Sequence, residues 1–146
     1  MKQFALALLL VAALTLVGCG SNSSSNPANI NGTWTATLLD SSNNPQFTLG
    51  MSLLSSGSNG SVSVSNFTIT SPSPCFGTAQ TETGSFSLMG NFNGNMTGSF
   101  GLTVNSATPG NSLKLTGTAK GNTITGNWTL SGAGCTGTGT FTMTRM

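Results

Sequence analysis

Few side chains in this 146-residue chain could do covalent, acid–base or metal chemistry. Its thiols and carboxylates are Cys19, Cys75, Cys135, Asp40 and Glu82, and there is no histidine and no tyrosine. Histidine is the side chain whose ordinary pKa suits a base near neutral pH, so that route is closed. No serine or threonine stands beside a sequence partner that would activate its hydroxyl. Two carboxylates are a thin basis for hydrolysis, and catalysis is not expected. A metal is not expected either, because neither Cys75 nor Cys135 has a second cysteine or a histidine nearby. No cofactor is implied. What remains is sulfur chemistry, and its outcome depends on where the protein resides.

The N-terminus addresses that question. Met1-Lys2-Gln3 is a short positive start, and Phe4 to Leu16 is apolar apart from Thr15. This is the layout of a secretory signal, and the run is too short to span a bilayer comfortably as a helix. It ends in Leu16-Val17-Gly18-Cys19. That tetrapeptide resembles the lipobox of bacterial lipoproteins. The resemblance implies a diacylglyceryl thioether on Cys19, cleavage before it, and acylation of the new amine, commonly with palmitate. Two or three chains hold a protein stably on a membrane where one does not. Gly20 stands where an aspartate tends to retain such proteins in the inner membrane of diderm bacteria, so the outer membrane is the expected address there. Residues 19–29, rich in Ser and Asn, read as a flexible tether without apolar area to bury. The expected organisation is a signal over 1–18, the tether, and one domain over 30–146.

In an exported protein the two remaining thiols read as a Cys75–Cys135 disulfide. The domain also carries Lys114, Lys120 and Arg145 against Asp40 and Glu82, and charged residues make up only 4 % of the chain. Such a balance lacks the basic footprint of a nucleic-acid binder. Ser, Thr, Asn and Gly must supply solubility, while 36 % hydrophobic content argues against disorder.

Strands are the elements that must position these groups. From Ile30 onward there is no helical period. Trp34, Ala36 and Leu38 alternate with threonines, as do Phe141 and Met143. Phe47 to Leu53, Val62 and Val64, Phe86 and Leu88, Met96 to Val104, Leu113 and Leu115, and Ile124 to Leu130 follow the same rule. Phe67 and Ile69 change parity, which predicts a bulge near Asn66. About eight strands result, each with one apolar face, separated by Gly-, Asn- and Pro-rich turns. The apolar face closes as an up-and-down antiparallel barrel or folds into a two-sheet sandwich. Gly98, Gly117, Gly126, Gly137 and Gly139 on the apolar parity favour the barrel, because glycine there permits coiling and close backbone approach.

In an up-and-down order, Cys75 follows the third strand and Cys135 the seventh. Both then fall at one rim, and the "SPSPCFG" loop has to reach inward across the mouth. Glu82 shares parity with Gly84, Phe86 and Leu88, so an unbroken strand turns it inward near that rim. There it could orient the polar end of a ligand. The cost of burying an unpaired carboxylate favours a solvated rim position instead, reached through a bulge at Gly84.

"INGTWTATL" resembles the G-x-W strand of lipocalins and the opening strand of avidins. "ITGNWTL" and "GTFTMTR" resemble the closing strands of avidins. The lipocalin resemblance implies that Trp34, after Gly32, plugs one barrel end and that Arg145 packs over it. The second lipocalin motif and a C-terminal helix are missing, and no biotin site carries over. Trp34 and Trp128 read as core. Two functions stay in view for a membrane-anchored envelope lipoprotein of this kind. One is binding a small apolar ligand in a lipocalin-like barrel. The other is a structural or adhesive role for a filled barrel. No protein partner is indicated.

Overall fold

Large apolar residues alternating with threonine make strands that bury one face and solvate the other. In the computed structural model such strands fill the chain from residue 32 onward. The structure describes residues 29–55, 57, 59–71, 75–76, 80–92, 95–106, 110–133 and 135–146. The expected signal, Cys19 and all of the expected tether but Asn29 lie outside them. Eight strands follow in order: β1 (Gly32–Asp40), β2 (Pro45–Ser55), β3 (Asn59–Thr70), β4 (Gln80–Phe92), β5 (Asn95–Ser106), β6 (Ser112–Lys120), β7 (Thr123–Ser131) and β8 (Gly137–Arg145).

Each strand pairs antiparallel with the next, and β8 returns to β1, closing an up-and-down barrel. The sandwich alternative is thereby excluded. Closure pairs Trp34 with Arg145, Ala36 with Met143 and Leu38 with Phe141. The bulge near Asn66 is present. Asn66 has φ 51°, and the β2–β3 register shifts between Gly50 and Ser52. It turns Phe67 and Ile69, which pack against the core, to the same side as Val62.

The interior is packed with side chains. Trp34, Ala36, Leu38, Leu49, Met96, Val104, Leu113, Leu115, Ile124 and Met143 have no solvent exposure, and Phe86, Phe100, Trp128 and Phe141 are almost as buried. Each large aliphatic side chain so buried contributes about 1.5–3 kcal/mol against leaving it in water. The outside is lined with hydroxyls. One row runs Thr48, Thr37, Thr142, Thr125, Thr118 and Ser99 across β2, β1, β8, β7, β6 and β5. Apolar-in and polar-out is the reverse of a barrel whose strands face lipid.

The seams differ. β5 pairs with β6 over nine positions, from Thr97 to Asn105. β3 pairs with β4 over four, Asn59 to Val62 against Ser87 to Gly84. Beyond Val62 the two strands part, and β3 continues on β2 while β4 continues on β5.

Candidate functional site at the disulfide-bearing rim

The turns after β1, β3, β5 and β7 lie at one end of the barrel. Cys75 and Cys135 belong to the second and fourth of these, and they are joined by a disulfide with Cα atoms 5.7 Å apart. Asn111, in the turn after β5, donates its Nδ2 to the Cys75 carbonyl at 2.5 Å. Phe76 meets Phe47 of β2 edge to face at 5.9 Å, and Phe47 meets Trp128 of β7 at 5.6 Å. Cys75 and Phe76 therefore sit at the mouth and touch three sides of it. At these two described residues the inward reach expected of that loop is found.

Beside the disulfide is an open cleft of about 390 Å³, lined among others by Asp40, Gln46, Phe47, Trp128, Thr136 and Thr138. Its aromatic walls, Phe47 and Trp128, are almost fully buried. Trp128 donates its indole N–H to the Leu39 carbonyl at 2.8 Å. Asp40 is the charge at its edge. The backbone N–H of Asn44 does most to hold this carboxyl below its ordinary pKa, helped by the Ser42 N–H and the Asn44 and Gln46 amides, against a smaller effect of desolvation. These donors organise the β1–β2 turn and occupy much of the carboxylate's accepting capacity. Asn111 Oδ1 is buried without a hydrogen-bond partner, packed against Gly132.

Glu82 pairs with Val104 near the start of β4, on the inward parity, two residues before the point where β3 and β4 part. It is half-buried and does not line the cleft beside the disulfide. The register shift in β4 falls between Leu88 and Gly90, not at Gly84.

The opposite end is closed by the lead into β1. Ile30 is fully buried, and Trp34 donates its indole N–H to the Ile30 carbonyl at 2.9 Å. Arg145 lies over the Trp34 ring at 4.7 Å. Its guanidinium donates to the Asn31 carbonyl and, at 2.7 Å, to that of Asn29. Gly32, at φ 139°, lets the Arg145 stem pass directly over the backbone. Asn31 Oδ1 accepts from the Ser55 N–H and hydroxyl at 2.7 and 2.9 Å, tying the lead to β2. Burial holds the Arg145 pKa below its ordinary value.

Sequence reasoning did not pick out Asn111 or Phe76. One is an asparagine among many, and the other gains its role only when the loop crosses the mouth. No three Cys, Asp or Glu side chains gather into a metal-sized cluster among the described residues. No family model matches the chain, and neither does any curated protein or solved structure.

Proposed function

We propose that this is a cell-envelope lipoprotein, acylated on Cys19, that displays a solid β-barrel at the membrane surface in a structural or adhesive role. The observation that carries the reading of a filled barrel is the interior itself: the side chains pointing inward from all eight strands pack into one buried cluster. Eight strands is the size at which side chains can fill a barrel or leave room for one small ligand, and the packing supports the first outcome. The Leu16–Cys19 motif and the polar residues after it support the anchor.

Metabolic labelling with palmitate in a lipoprotein-processing host tests the anchor. Label should appear in the parent and vanish in Cys19→Ser, which should also leave the membrane fraction. Equal membrane retention of both would sink it.

One observation favours a second reading. The cleft beside the disulfide has the volume of a small-molecule pocket. A small ligand would sit there, at the rim among Asp40, Gln46, Thr136 and Thr138, rather than within the barrel. Native mass spectrometry of protein from its own host, with Gln46→Ala as the comparison, separates the two readings. A compound retained by the parent and lost in the variant would favour the rim site.

A further inference from the structure

We propose that the end of the barrel closed by Trp34 and Arg145 docks on the anionic surface of the lipid bilayer that holds the anchor. The proposal rests on the lipoprotein reading and goes beyond it, because an anchor alone does not orient the domain. Three large apolar side chains are exposed among the described residues: Leu54 at 61 %, Met89 at 73 % and Met146 at 84 %. Singly, such residues need no explanation. Their placement is the observation. Leu54 is next to last in β2, Met89 is the residue extruded by the bulge between Leu88 and Gly90 in β4, and Met146 follows β8. All three lie towards the same end. At the disulfide-bearing end no described large apolar side chain is exposed.

The chain outside the structure leaves from that same end. Arg145 holds the carbonyls of Asn29 and Asn31 there. Nine residues lie between Cys19 and Asn29, so the ten Cα steps span at most about 35 Å. The closed end is thus kept at high effective concentration next to the bilayer, and weak contacts suffice to seat it. The charges agree in sign. Lys120 ends β6 and Arg145 ends β8 at this end, while Asp40 and Glu82 lie towards the other, as does Lys114, the third residue of β6. A basic, apolar-studded end suits an anionic headgroup layer. The disulfide-bearing rim and its cleft then face away from the membrane.

The test uses the acylated mature protein on vesicles of phosphatidylethanolamine and phosphatidylglycerol, with limited peroxide oxidation read by peptide mass spectrometry. The comparison is the acylated double variant Leu54→Asp/Lys120→Glu, altered at exposed positions only. Met89 and Met146 should form sulfoxide several-fold more slowly in the parent than in the variant. Equal rates on proteins that both carry acylated Cys19 overturn the docking and leave the anchor standing. Unmodified Cys19 in the same spectra overturns the anchor, and the docking with it.

Discussion

Gly126 and Gly139 illustrate what a single residue does in this barrel. A Cβ on Gly126 would collide with the Thr116 carbonyl and the Gly117 backbone, and one on Gly139 with the Leu39 carbonyl. Backbone cannot yield as a flexible side chain does. Gly126→Ala should therefore cost about 2 kcal/mol or more, in the range of a core overpacking. Gly90→Ala, with open space around the added methyl, should stay within about 0.5 kcal/mol. Urea unfolding of the pair checks this, and equal midpoints would refute it. Arg145 is the second case. Two of its three guanidinium nitrogens reach two carbonyls while its face covers Trp34. A lysine offers a point charge in place of that fork. Arg145→Lys should lose about 1–3 kcal/mol, the scale of charge-assisted hydrogen bonds, read as a lower midpoint in urea unfolding. The inward parity of these glycines was legible in the sequence. Which backbone each one meets was not, because that depends on the register of a neighbouring strand.

At the scale of elements, alternation alone carried most of the fold: eight strands, their inward faces, the bulge at Asn66 and the common rim of the two cysteines. Alternation is a property of one strand at a time. It holds no information on how far two neighbours stay together, which is why the short β3–β4 seam was not legible. Nor was the position of Glu82 beside the splay. The consequence is mechanical. The disulfide across 60 residues and the Asn111 bond hold Cys75, and Phe76 packs on Phe47, beside this short seam. Replacing Cys75 and Cys135 by alanine should lower stability by about 4 kcal/mol in the chain-entropy model. Hydrogen exchange should locate the loss. Amides of Gln80 to Thr83 should gain exchange most, and those of β5 to β7 least. Uniform acceleration across all strands would mean that the bridge stabilises the barrel as a whole and not this seam.

The whole molecule has an outside built almost without charge. Five charged side chains serve the domain, and hydroxyls and amides do the rest. Its stability should therefore respond weakly to pH and salt, unlike that of most domains, in which paired carboxylates and histidines set the profile. No histidine titrates, and Cys75 and Cys135 are joined. The side chains that ordinarily change charge near neutral pH are thus absent or joined, and the thermal midpoint should be flat from about pH 6 to 9. Asp40 sets the acid limb. Its folded pKa lies below the ordinary carboxyl range because the β1–β2 turn, the Asn44 N–H first, donates to the carboxylate. A depressed carboxyl stabilises fully above its unfolded pKa, and that contribution is lost as pH falls through the lower folded value. The midpoint should thus begin to drop only below about pH 4, and modestly, since the group is open to solvent. Asp40→Asn should remove most of that drop while lowering the plateau slightly. Thermal scans from acid to pH 9, with and without added salt, measure both limbs. A midpoint that moves between pH 6 and 9, or an acid drop that survives Asp40→Asn, would show that charges other than these govern the barrel.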